Sequence, residues 1–231
     1  MSGATSPRAE DARPALGDRS DRDRDEVELK LTVHDPGAIR ELVLDPAPRL
    51  PGVAPIGPAR RIEVADRYLD TAGGALRRAG LVARVRSGAE PPRLTLKSLA
   101  RRGHGAVHRR LELEGAADHG DDPRGWPPSE ARDLLIGAIG ATPIAIIAVL
   151  RQARLQRDIA IGDSIVELSL DEVEAARPGG EPDRWVELEA ELRSGGEADL
   201  AILGTMLLNR PDLAPATTSK LHRALAAARG R

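Results

Sequence analysis

The chain has 231 residues, with 34 Lys and Arg against 36 Asp and Glu and a formal charge of -2. That balance argues against a general nucleic-acid binder, which carries a basic surplus. The absence of cysteine excludes disulfides and thiolate metal sites.

Residues 1–24 are built from Pro, Gly, Ser and alternating Asp and Arg. They offer little apolar surface to bury and read as a disordered tail, with no apolar core of the kind a secretory signal needs. The ordered domain is expected over 25–228. EVELKLTV reads as a strand. Asp35 and Pro36 then serve as N-cap and first-turn proline for a helix over AIRELV. RLPGVAPIGP, 49–58, reads as a loop, RIEVADRYLDT as a strand, and the glycines at 73 and 74 break the chain.

LVARVRS and RLTLKSL read as two strands joined by the turn GAEPP, and HRRLELEG as another. SEARDLLIGAI reads as a helix capped by Ser129. The apolar run from Leu134 to Leu150 is short for a membrane span and is interrupted by Gly137, Gly140 and Pro143. It reads as a buried helix end followed by a buried strand, and the protein as cytoplasmic. IIAVLRQARLQRDIAI is strand-like. Arg151, Arg154 and Arg157 do not share one parity there, so an irregularity is expected. SIVELSLDEVEA and RWVELEAELRS are further strands around RPGGEPD, and two helices, ADLAILGTMLLN and SKLHRALAAA, close the chain. Seven or eight strands with short links, plus flanking helices, suggest a closed antiparallel barrel or a sandwich.

Glu26, Glu28 and Lys30 fall on one face of the first strand, and Val27, Leu29 and Leu31 on the other. The alternation recurs at Arg84 and Arg86; at Thr95 and Lys97; at Arg110, Glu112 and Glu114; at Glu167, Ser169 and Asp171; and at Glu187, Glu189 and Glu191. A sandwich with solvated outer faces would produce such a pattern. So would a ring with a charge-lined interior and aliphatic outer faces under helices. In the second case acidic clusters suit a hard divalent cation, and basic clusters suit a polyanion such as phosphate.

EVELK fits an ExExK signature, and RYLDT, LRRAGLVARVR, LTLK, RRLELE, LDEVE, WVELEAELRSG and SKLHRAL follow in order. The ordered set resembles the CYTH domain, the core of the triphosphate tunnel metalloenzymes, over nearly everything from Asp25 to Ala228. The resemblance implies a closed antiparallel eight-stranded β-barrel forming a charged tunnel, in a mainly β domain with flanking helices. It implies metal-dependent hydrolysis of a triphosphate with Mg2+ or Mn2+, as in inorganic and thiamine triphosphatases, or cyclisation as in class IV adenylyl cyclases. The matching basic positions, Lys30, Arg84, Arg86, Lys97, Arg110, Arg154, Arg157 and Lys220, would grip phosphates. The matching acidic positions, Glu26, Glu28, Glu112, Asp171, Glu187 and Glu189, would hold metal. Glu28, Lys97 and Glu189 would take part in the chemistry, and Glu114 and Glu191 are secondary.

Inorganic triphosphate or polyphosphate is the expected partner, with no nucleic acid and no membrane; a non-catalytic binding module is the other reading. Many bacterial CYTH domains precede a helical CHAD domain linked to polyphosphate, and the chain stops about where one would start. Its oligomeric state is not written in the sequence. His104 and His108 have helical ligand spacing but sit among Arg and Gly, which favours a solvated turn. No P-loop, GxSxG or dinucleotide-binding fingerprint is present.

Overall fold

A computed structural model describes residues 25–47, 49–88, 91–100, 107–118, 120, 122–176 and 181–228. The tail, His104, and parts of the GAEPP and RPGGEPD turns lie outside the described residues.

Among the described residues, nine strands form one antiparallel sheet. They are β1 (Asp25–Val33), β2 (Val53–Thr71), β3 (Leu81–Ser87), β4 (Arg93–Ser98), β5 (Val107–Ala116), β6 (Ile144–Ile161), β7 (Ser164–Ala175), β8 (Asp183–Ser194) and β9 (Leu213–Pro215). The order is β5-β4-β3-β2-β6-β7-β8-β1-β9, and a further β5–β1 pairing closes eight of them into a ring. β1 makes the closure. One edge pairs with β8, while the other pairs with β5 along Asp25–Leu29 and with β9 along Leu31–Val33.

Five α-helices of the described residues pack on this ring: α1 (Pro36–Leu44), α2 (Ala75–Arg78), α3 (Glu130–Ile139), α4 (Glu197–Leu208) and α5 (Lys220–Ala228). The Asp35 carboxylate accepts from the Ala38 amide at 3.1 Å, with proline at the first turn. The Ser129 hydroxyl accepts from the Arg132 amide at 3.2 Å. Both caps stand where the sequence places them. The apolar run of 134–150 divides between α3 and β6, and no described helix is long and apolar enough to cross a membrane.

The aliphatic faces point outward. Val27, Leu29, Leu31, Leu168, Leu170 and Leu188 pack under α1 and α4 through Ile39, Val43, Leu200, Leu203 and Leu207. Val85, Leu94, Leu96 and Leu113 pack under α2 and α3 through Leu76, Ala131, Leu135 and Ile139. A third cluster lies inside the ring at one end. Tyr68, Leu150, Val173, Ala175 and Trp185 meet Ala224 and Ala227 of α5, which closes that end. The charged faces therefore turn inward, which decides between the two readings of the alternation.

One expectation needs correction, and another gains a position. The segment read as a loop over 49–58 is half strand, because Val53–Ile56 pair with Asp158–Ile161 at the far end of β6. Gly57, at φ 66°, and Pro58 sit in a register shift between Ile56 and Arg60, so the chain bulges there and pairing resumes. The irregularity expected in β6 lies near its start, where Ile147 is the extra residue between Ala148, opposite Tyr68, and Ile146, opposite Leu69. It does not fall among the arginines, because β6 pairs with β7 without a break from Leu150 to Ile161. Arg151 and Arg157 thus face away from the interior that Arg154 enters.

Candidate functional site

Inside the ring lies a cavity of about 280 Å³. Among the described residues, eight basic and six acidic side chains line it. β1 sends in Glu26 and Lys30, β3 sends in Arg84 and Arg86, and β4 and β5 supply Lys97, Arg110 and Glu112. Arg154 comes from β6, Glu189 from β8 and Lys220 from the first turn of α5. These ten positions, all singled out in the sequence, thus meet in one cavity, and Glu114, Glu167 and Glu191 of the same alternation join them.

The charges are interleaved. Arg110 donates through Nε to Glu26 at 2.8 Å and through Nη2 to Glu28 at 3.0 Å. Lys97 Nζ stands 2.8 Å from Glu26 and 2.9 Å from Glu112. Lys30 lies 2.9 Å from Glu28 and also bonds Glu189. Arg154 grips Asp171 with two nitrogens at 2.6 and 2.9 Å and reaches Glu189 at 3.0 Å. Lys220 bonds Asp171 and lies 3.1 Å from Glu189. These are short charge-assisted contacts in a water-poor interior, where an unpaired charge is costly.

Electrostatics sort the carboxylates. Burial pushes Glu26 up, but Lys97, Arg110 and Lys30 together hold it well below the usual carboxylate range. Glu189 is also held low against burial, by Lys220, Lys30 and Arg154. The Glu191 carboxyl is pushed up to about 7, by burial and by Glu26 and Glu112 nearby, against the pull of Arg193. Glu112 is raised as well, by burial and Glu26, against Lys97 and Arg84.

Not every predicted residue reaches the cavity surface. Glu28 and Asp171 lie just behind it, 3 % and 0 % exposed, and hold the lining cations from the rear. Glu187 is buried near α5. Its Oε1 accepts from Trp185 Nε1 at 2.7 Å, and its Oε2 has no hydrogen-bond partner. Burial raises its pKa despite Lys220. The Trp185 ring lies under Arg223, with the guanidinium carbon 4.3 Å from the ring centroid.

Arg157 is elsewhere and is corrected as a phosphate ligand. Its Nη1 donates to the carbonyls of Val43, Leu44 and Asp45, at 3.1, 3.0 and 2.8 Å, and its Nε and Nη2 reach Gly57 O. It caps the C-terminus of α1, where cations are favoured.

The structure adds residues that the sequence reading passed over. Gln156 and Arg193 line the cavity beside Glu167 of the β7 alternation. Tyr68 lines it near α5, with burial and Asp66 keeping its phenol protonated. Asp66 itself is fully buried behind Arg84 and Arg86. Ile62 and Val64 share the inward parity of Asp66 and Tyr68, so β2 lacks the unbroken charged alternation that marks the other strands.

Among the described residues no group of three or more His, Asp or Glu side chains stands ready to hold a metal ion. The donor chemistry nonetheless fits one. Glu26 and Glu112, joined through Lys97, offer hard oxygen donors, and Glu191 lies near enough for both to add to the effect of burial on its carboxyl.

The model of the CYTH domain family matches residues 24–225. A search of the curated proteins finds no match. Among solved structures, HpAC1 of Hippeastrum, proposed as an adenylyl cyclase and described as having a dominant triphosphatase activity, is 19% identical. It aligns over 87% of this chain and 95% of its own, with a TM-score of 0.63. A Bacillus halodurans protein proposed as an adenylate cyclase is 17% identical over 87% and 98%, with a TM-score of 0.53. PH1819 of Pyrococcus horikoshii OT3 is 16% identical over 87% and 98%, with a TM-score of 0.50. These likenesses show a shared fold. With the family match spanning most of its length, the chain belongs to the CYTH domain family.

Proposed function

We propose that this protein hydrolyses a triphosphate, with inorganic triphosphate as the preferred substrate and Mg2+ or Mn2+ as the cofactor. The observation that carries the reading is the convergence of eight cationic side chains on a cavity that also holds carboxylates. One arginine cannot match a densely charged triphosphate, whereas cations from several strands can surround it. The triphosphatase activity ascribed to HpAC1 supports the same reading.

Arg84, Arg86, Arg154, Lys30 and Lys220 would bind the phosphate chain. Arg84 is the least committed of them. Its closest carboxylate oxygen, on Asp66, is 3.7 Å away; Thr95 Oγ1 accepts from its Nη2 at 3.2 Å; and its buried Nε has no partner. Glu26, Glu112, Glu189 and Glu191 would hold the divalent ion, with Glu28 fixing Lys30 and Arg110 behind them. Lys97, between Glu26 and Glu112, would orient those ligands. When bound, the ion neutralises phosphate oxygens and acidifies a water. In hydrolysis a water would add to the terminal phosphorus as the bond to the bridging oxygen breaks, giving orthophosphate and pyrophosphate. A carboxylate of the acidic corner would take the proton that the water gives up.

The test is phosphate release from inorganic triphosphate, ATP and thiamine triphosphate with Mg2+, with Mn2+ and with chelator. Metal-dependent release of orthophosphate is expected. Tight binding with no release under any metal would point to a binding module instead.

A further inference from the structure

Asp66 does not line the cavity, yet two residues that do are attached to it. It stands on β2 opposite Arg86 of β3 in register. Arg86 donates to both of its oxygens, through Nε at 2.7 Å and Nη2 at 2.8 Å. Gln152, on β6 and 1 % exposed, donates through Nε2 to Oδ2 at 2.6 Å. Arg84 Nη1 lies 3.7 Å from the same oxygen. One buried carboxylate thus faces two guanidinium groups from behind. Both arginines line the cavity, Arg86 Nη1 takes no part in the Asp66 contacts, and Thr95 steadies Arg84 from the other side. Burial pushes the Asp66 carboxyl up, but Arg84 and Arg86 hold it well below the usual range, so it stays ionised.

We propose that Asp66 is a positioning residue of the triphosphate site, holding Arg84 and Arg86 at a fixed mutual orientation for adjacent phosphoryl groups. The role rests on the triphosphatase reading above. A guanidinium on a flexible stem loses rotamer freedom when it binds, and a partner that fixes it beforehand removes that cost.

The role has a sign that simple charge does not share. Asp66→Asn removes a negative charge beside the cavity. If Asp66 mattered only through its charge, the variant would bind a polyanion more tightly. If Asp66 positions the arginines, the variant binds it more weakly despite the extra net positive charge.

The experiment measures KM, kcat and calorimetric binding of inorganic triphosphate for the wild type, Asp66→Asn, Arg86→Met and the double variant, each with its melting curve. Asp66→Asn is expected to weaken binding and raise KM by about tenfold, with a smaller change in kcat. In the Arg86→Met background the same substitution should cost less than about threefold, because its effect runs through Arg86. Unchanged or tighter binding in folded Asp66→Asn would overturn the role, and so would an undiminished effect without Arg86. If Asp66→Asn does not fold, the decision passes to Gln152→Met, which loosens Asp66 without changing charge. A raised KM supports the role, and an unchanged KM overturns it. A wild type that neither binds nor cleaves triphosphate would overturn the functional reading and this role together.

Discussion

Glu191 stands directly opposite Glu28 across the β1–β8 pair and opposite Glu167 across β7–β8, so three carboxylates share one level of the ring. Glu28 is held by Lys30 and Arg110, and Glu167 by Arg193. Among the described residues, the ion pair of Glu191 is with Arg193, whose side chain is 44% exposed. Burial, with Glu26 and Glu112 nearby, outweighs Arg193 and Lys97, so its pKa rises to about 7 from a usual 4.5.

The shift fixes a pH dependence. A carboxyl raised on folding makes the native state bind more protons than the unfolded chain, so stability falls as pH rises between 4.5 and 7. Glu191→Gln removes that titration. Its melting temperature should match the wild type near pH 4, exceed it increasingly through that window, and keep a constant margin above it. Added Mn2+ should shrink the margin, because the ion stabilises the ionised wild-type carboxylate. A margin independent of pH would rule out the explanation.

Glu28→Gln keeps the shape of a buried side chain and removes the charge that Lys30 and Arg110 both contact. Turnover should fall by about 100-fold or more, the scale seen when a preorganised electrostatic group is lost. Metal dependence should weaken while the circular dichroism spectrum is retained. Lys30→Ala, by contrast, should mainly raise KM. Full activity of Glu28→Gln at low metal would remove Glu28 from the machinery.

Arg157→Ala should act on stability and not on catalysis. The side chain is buried and donates to four carbonyls at the end of α1 and in the β2 bulge. Leaving buried acceptors unpaired costs about 1–3 kcal/mol. The melting temperature should drop by several degrees, with kcat and KM unchanged below the transition. A large rise in KM would restore Arg157 to the substrate site.

Arg154 and Arg157 also show where sequence reading stops. Alternation is legible because a strand turns successive side chains to opposite faces, and that alone gathers most of the site from β1, β3, β4, β5, β7 and β8. Alternation does not say which face is inside; only the closure of β5 onto β1, with helices over the aliphatic side, decides it. Three residues apart, Arg154 and Arg157 must diverge in an unbroken strand, and the bulge that could have reconciled them lies on β2. Asp66 was hidden because aliphatic Ile62 and Val64 occupy the inward positions just before it.

The last prediction concerns substrate. The chain has no Phe, two Trp and one Tyr, so there is little to stack on an organic head group. Base–aromatic stacking is worth about 1–3 kcal/mol where it is available. Trp126 is buried against α3, outside the ring. Trp185 lies inside but is enclosed with α5 and covered by Arg223. Of the three, only Tyr68 reaches the cavity, whose other uncharged lining is aliphatic, as at Val82, Leu99 and Leu221, or small and polar, as at Ser98, Gln156 and Ser219. The phosphate chain meets a full cationic lining, whereas a nucleoside would gain little stacking beyond Tyr68. The ratio of kcat/KM for inorganic triphosphate to that for ATP should therefore exceed about ten, a barrier difference of about 1.4 kcal/mol. Both are to be measured at one metal concentration, with pyrophosphate as a length control. Equal rates for ATP would show that the aliphatic wall serves a head group. Release of cyclic AMP and pyrophosphate would establish cyclase chemistry in place of hydrolysis.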